Sequence, residues 1–144
     1  MELVKSIFDN SPKLVEREGK VIRINFDVDV TEVSLVNTEN NADGDVKGKK
    51  VATTRSAFEA YVVRVEQPLE RDKVIDAIVS AAYPSDKMQA IINNHLVNLA
   101  TVSDGGKLDE DELAHEEEYK AMQEWRKKAK TVASEVMKVY MSNI

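Results

Sequence analysis

No cysteine occurs among the 144 residues. Disulfides, thiolate metal sites and a cysteine nucleophile are therefore excluded. Proline and glycine are scarce, at three and five residues, so few positions can break a helix or force a tight turn. There are two histidines and one tryptophan. No apolar run approaches the roughly 18 residues of a membrane-spanning helix. The longest near-apolar window, Val74 to Tyr83, is interrupted by Asp76 and Ser80. Between Met1 and Lys13 only Leu3-Val4 and Ile7-Phe8 are apolar groups, which is too little for the core of a secretory signal. The expectation is a soluble chain made in a cytoplasm, with no membrane partner. Positive charge is not in excess either. Twenty Lys+Arg stand against 26 Asp+Glu, a net charge of −6. Affinity for a phosphate backbone comes largely from Lys and Arg, so general nucleic-acid binding is disfavoured.

What is present suits a packed protein. Hydrophobic residues make up 42% and charged residues 32%. The length fits one domain with a real core. The pattern changes near Pro68, and the expected class is α+β. Residues 1–68 read as an antiparallel sheet of meander or hairpin type, and residues 69–144 as three helices.

In the first half, Ile22, Ile24, Phe26, Val28 and Val30 alternate with Arg23, Asn25, Asp27, Asp29 and Thr31. Period two is the mark of a half-buried strand. Lys13–Arg17 reads as a preceding strand, turning at Glu18-Gly19. Residues 57–66 (AFEAYVVRVE) read as a second long strand, and Val33–Val36 as a short strand or an extension. Residues 37–50 (NTENNADGDVKGKK) read as a long loop or hairpin tip, with Asp43-Gly44 as the tight turn.

In the second half, Val74, Ile75, Ile78, Val79 and Ala82 form a helical stripe that ends at Tyr83-Pro84. Ser85 is then expected to cap a helix with Met88, Ile91, Ile92, Leu96 and Leu99 on one face, stopped by Ser103–Gly106. A last helix runs from about Asp109 to Met141, or about 50 Å. It is long and amphipathic, and residues 107–144 are expected to project in part beyond the core.

That helix is the most informative segment. Residues 109–118 hold seven acids and no Lys or Arg, whereas residues 120–130 hold five bases and one acid. Acid first and base later complements the helix dipole, and Glu116–Lys120 and Glu124–Lys128 are favourable pairs. Met122, Trp125, Ala129, Val132, Val136 and Val139 alternate spacings of three and four, a short heptad seam. Two readings remain open. The seam packs on the chain's own shorter helices, or it is an interface for a homo-oligomer or another protein.

Few groupings suit chemistry. Asp27 and Asp29 share a strand face about 7 Å apart, which suits either a cation or an ordinary solvated face. Residues 101–112 (TVSDGGKLDEDE) resemble a calcium loop in part, but Thr101 and Gly105 occupy ligand positions that need oxygen-bearing side chains. An interhelix turn leading into an acidic first turn is preferred. His95 sits at the edge of an apolar stripe and His115 among acids, without a second histidine at ligand spacing. Ser80, Ser85 and Ser103 lack the glycines of a nucleophile elbow, and no phosphate-binding glycine loop is present. Neither catalytic residues nor a metal, cofactor or small-molecule substrate is expected. The segment Trp125 to Lys130 offers Arg126, Lys127, Lys128 and Lys130 beside an aromatic ring, a candidate nucleic-acid contact opposed by the neighbouring acids.

Three stretches together carry a resemblance: "FEAYVVRVEQP", "AAYPSDKMQAIINNHL" and "EEEYKAMQEWRKKAKTVASEV". They resemble small proteins encoded by phages and prophages of gut Bacteroides-type bacteria, over about residues 55–137. Its most specific elements are Tyr83-Pro84, Met88–Ile91 with Asn93-Asn94, and Trp125-Arg126 followed by Lys128–Lys130. The resemblance implies a virion-associated structural or assembly role, as a small head, tail or baseplate component. Its expected partners are other virion proteins or further copies of itself. The competing expectation is a small phage-encoded regulatory or nucleic-acid-binding protein. An enzyme with an acidic metal site at Asp27, Asp29 or residues 109–118 is a third.

Overall fold

The computed structural model describes residues 1–38 and 50–142. Four strands, β1 (Ser6–Phe8), β2 (Val15–Glu18), β3 (Val21–Thr38) and β4 (Lys50–Glu66), precede three helices, α1 (Arg71–Ala82), α2 (Ser85–Ser103) and α3 (Glu110–Ser142). The sheet order is β1-β4-β3-β2, with β1 antiparallel to β4 and β2 antiparallel to β3. The class is α+β. The loop expected at 37–50 gives way to strand at both ends, and residues 39–49 lie outside the described residues. Strand β1 has no counterpart in the sequence reading; three residues are too short to show a period.

Two units divide the chain. One comprises residues 1–3, 15–24 and 63–144, the other residues 4–14 and 25–62. The division therefore crosses the two long strands rather than falling at Pro68.

In the first unit, Val15 to Glu18 pair with Ile24 to Val21, closed by Gly19 at φ +63°. Arg23 binds both Glu16 and Glu18, and Arg64 Nε donates to Glu18 at 2.9 Å. Ile22 and Ile24 are buried, as are Val63 and Val65 of β4. Helix α1 buries Val74, Ile78, Val79 and Ala82 and stops at Tyr83, because a residue before proline avoids helical backbone. Helix α2 starts at Ser85 itself, with Pro84 in the cap position and no side-chain capping bond. The cap expected of Ser85 is therefore not made.

Both shorter helices run antiparallel to α3. Arg71 Nε donates to Ser134 Oγ at 3.3 Å and Trp125 Nε1 to the Ile78 carbonyl at 3.0 Å. Further along, Asn98 Nδ2 donates to the Glu112 carbonyl at 2.9 Å. Helices of 12 and 19 residues thus lie in succession along one of 33. The first half of α3 has α2 beside it and the second half has α1, which accounts for its length.

The second unit holds the other break in pattern. Asp27 has φ +53°, the one described non-glycine residue with positive φ. Aspartate tolerates this left-handed conformation better than most residues. A residue turned this way resets the strand's alternation. Phe26 is accordingly buried while Val28 and Val30 are exposed, against the expectation of one continuous apolar face from Ile22 to Val30. Phe26 and Tyr61 meet with ring centroids 5.4 Å apart. Buried Asn25 donates from Nδ2 to the Lys13 carbonyl at 2.7 Å, and its N–H donates to the Leu14 carbonyl at 3.0 Å.

Candidate functional site

The heptad seam faces inward. Met122, Trp125, Ala129, Val132 and Val136 are buried, and only Val139 of the six expected interface residues is exposed. Antiparallel packing with α1 brings the Trp125 indole onto a main-chain carbonyl of that helix. These five side chains hold the chain's own core together and leave almost no surface for a partner. This corrects the interface reading of the seam.

Arg126, Lys127, Lys128 and Lys130 are exposed along α3. Trp125, the ring that would stack on a base beside them, is 7% exposed and donates its N–H inside the protein. The basic segment is thus a row of cations without an accessible aromatic.

The acids are accounted for locally. Asp29 pairs with Lys5 at 2.6 Å, and the Lys5 ammonium stands 5.2 Å over the Tyr61 ring. The hydrogen bond to Asp29 raises the Lys5 pKa above its ordinary value, more than burial lowers it. Asp27 is at the strand irregularity, so the two aspartates do not share a regular strand face. Residues 101–112 form two helix ends in place of a calcium cage. The Gly106 N–H donates to the Thr101 carbonyl at 2.9 Å and the Gly105 N–H to that of Val102 at 3.0 Å, with Gly105 at φ +84°. This is the Schellman closure of α2. At the start of α3, Asp109 Oδ1 accepts from the Glu112 N–H at 2.8 Å, and Glu112 Oε1 accepts from the Asp109 N–H at 3.1 Å. The pair is a reciprocal capping box. Asp109→Ala is expected to lower stability by about 1 kcal/mol, read as a shifted midpoint in urea unfolding followed by circular dichroism. Among the described residues, no group of three or more His, Asp or Glu is placed to hold a metal ion.

Two arrangements remain. The first is a cleft where the helix pair α1–α2 breaks at Pro84. Tyr83, Lys87 and Ile91 face Glu118, Ala121, Glu124, Trp125 and Lys128 across it, with Met1 at the side. Two adjoining hollows of about 250 and about 370 Å³ make it up. Burial, together with the charge of Glu118, raises the Tyr83 phenol above its ordinary pKa, so the hydroxyl stays protonated.

The second arrangement is the contact of α2 with the acidic half of α3. His95 Nδ1 lies 3.0 and 2.9 Å from the two Glu116 oxygens, and Asn98 Nδ2 donates to Glu116 Oε1 at 3.0 Å. The His95 ring stacks on Tyr119 with centroids 3.6 Å apart and planes 6° from parallel. Burial pushes the Glu116 carboxyl up, but hydrogen bonds from Asn98 and His95, with the charges of His95 and Lys120, more than offset it. Its pKa is therefore lowered from the ordinary 4.5. His115 is half-buried in the same acidic stretch.

This polar contact turns α2 around. Ile91, His95 and Asn98 face α3, while Leu96, Leu99 and Val102 are 56%, 52% and 54% exposed. The expected core face of α2, with Leu96 and Leu99 inward, is thus corrected. The readable signal was on the other helix. Residues 109–118 carry one large aliphatic side chain, Leu113, itself exposed. That surface gives leucines nothing to pack on, and it matches Asn98 and His95.

No helix among the described residues is long and apolar enough to cross a membrane. Comparison with protein-family models, with curated proteins and with solved structures found no match.

Proposed function

We propose that this chain is a non-enzymatic structural or assembly protein of a bacteriophage particle, acting through protein–protein contacts. The observation that carries the contact role is the outward apolar row on α2. Isolated exposed leucines are ordinary on protein surfaces. Adjacent exposed apolar side chains are a mark of an interaction surface, and here Leu96 and Leu99 stand exposed beside half-buried Met88 and Ile92. The virion setting is supported by the resemblance over residues 55–137. The nucleic-acid reading loses its stacking residue to the core and rests on four cations alone. Mass spectrometry of purified precursor and mature particles is the test. The chain is expected at a fixed ratio to the other particle proteins in at least one of the two. Its absence from both would overturn the reading.

A further inference from the structure

The cleft at the α1–α2 break has balanced charges. Lys87 and Glu118 stand at its first hollow, Lys128 and Glu124 at its second, one cation and one anion at each. A ligand of one sign is attracted by one of the pair and repelled by the other. A ligand that bears both signs and no net charge gains from both.

The first hollow holds its polar groups apart. The Lys87 ammonium reaches Glu2 at 3.9 Å, and Glu118 has no ion-pair partner among the described residues. Tyr83 lines both hollows and is 5% exposed. Its hydroxyl has no hydrogen-bond partner among the described residues, yet it is not sealed off from solvent. The charge of Glu118 acts on that hydroxyl, which puts it on the side of the first hollow. A tyrosine hydroxyl so enclosed normally finds a partner. A cation, an anion and an unpaired hydroxyl around one hollow are what a zwitterionic head group needs.

The second hollow suits a tail. Trp125 and Ala121 line it, and Lys128 is already engaged within the chain. Glu118, Ala121 and Trp125 follow one another at three and four residues, so they share one stripe of α3. From Glu118 to Trp125 is about 10 Å along the helix. A small side chain attached to the head would stop short of the indole; a large apolar one reaches it.

We propose that this cleft binds a free α-amino acid with a large apolar side chain, such as phenylalanine. The ammonium lies against Glu118. The carboxylate lies against Lys87 and accepts from the Tyr83 hydroxyl. The side chain runs over Ala121 to Trp125. A mostly apolar hollow with a few convergent polar groups is the usual form of a small-molecule site. For so small a ligand the expected Kd is on the order of 0.1–1 mM. This binding goes beyond the particle role and does not depend on it.

Trp125 is the chain's only tryptophan, so its emission reports on the second hollow. Titrating the full chain with L-phenylalanine, excited where the ligand does not absorb, is expected to give a saturable change, with the same Kd by calorimetry. Phenethylamine lacks the carboxylate and 3-phenylpropionate lacks the ammonium; each is expected to bind roughly tenfold or more weakly. Glu118→Gln and Lys87→Met are expected to weaken phenylalanine binding by roughly tenfold, and Tyr83→Phe by roughly five- to tenfold. Tyr83→Phe removes a hydroxyl that bonds nothing in the chain, so its urea midpoint is expected at or above that of wild type. Lys127→Ala, outside the cleft, is expected to bind as wild type does. The proposal is overturned by no saturable response up to about 10 mM. It is equally overturned if either truncated analogue matches phenylalanine, or if binding is indifferent to Glu118→Gln and Tyr83→Phe. A failed titration leaves the particle role standing, and absence from particles leaves the binding standing.

Discussion

Trp125→Ala is expected to destabilise the chain by about 3–5 kcal/mol, the range for removing a buried aromatic ring. Trp125 is 7% exposed and its indole N–H donates to the Ile78 carbonyl at 3.0 Å. Truncation leaves a cavity between α1 and α3 and deletes that hydrogen bond. The neighbours cannot readily close the gap. Ala129 is already the smallest chiral side chain, and Met122 and Val132 are themselves buried. Trp125→Phe fills most of the space and loses the donor, so its cost is smaller, about 1 kcal/mol for the hydrogen bond plus a residual void. Lys127→Ala, two residues on and exposed, should stay within about 0.5 kcal/mol of wild type. Denaturant unfolding followed by circular dichroism reads all three; fluorescence does not, because the probe is the residue removed. A stabilising residue and an interface anchor differ in this experiment. If Trp125 were an anchor, Trp125→Ala would change association and leave the unfolding midpoint where it was.

The heptad pattern around Trp125 was legible in the sequence, and its direction was not. Spacings of three and four announce a seam without saying which helix fills the other side. Here the answer came from lengths. Two helices broken at Pro84 together nearly span α3, so the partner was already in the chain. The breaks themselves were readable because their causes are local: Tyr83-Pro84 ends α1, and Gly105-Gly106 closes α2. The strands were legible up to Asp27 for the same reason. Beyond it the alternation in the sequence continues through Val28 and Val30, but a single left-handed residue turns those side chains to solvent. Nothing in a period-two pattern signals such a residue, since aspartate is equally at home on an ordinary polar strand face.

The outward row on α2 was hidden by a different effect. Hydrophobic patterning assumes that apolar side chains face the core. In α2 the decisive neighbour is the first half of α3, and that neighbour is acidic. Burying Leu96 and Leu99 against Glu112 and Glu116 would strip water from the carboxylates without supplying donors. Turning Asn98 and His95 inward supplies them. The helix therefore orients by its polar residues, and the leucines are left for something else.

Asn98→Leu is the second large expected effect, a loss of about 2–3 kcal/mol near neutral pH. Asn98 is 3% exposed, and its amide gives hydrogen bonds to the Glu112 carbonyl and to Glu116 Oε1. A hydrogen bond to a charged group is worth more than a neutral one, and the leucine that replaces it leaves the carboxylate partly buried with one donor fewer. The effect has a pH signature. The Glu116 pKa is lowered from 4.5 in the folded chain, so its contribution is complete above that value and declines as pH falls through it toward the lowered one. In Asn98→Leu, burial still raises the carboxyl while one of the opposing hydrogen bonds is gone, so the lowering shrinks. The stability gap between variant and wild type should therefore narrow on acidification. Glu116→Gln, which cannot titrate, should lose this part of the acid dependence altogether. Urea unfolding of the three proteins near neutrality and well below pH 4.5 decides the matter. A gap of constant size across that interval would mean that Asn98 acts through packing alone, and that the α2–α3 contact is not held by the Glu116 charge.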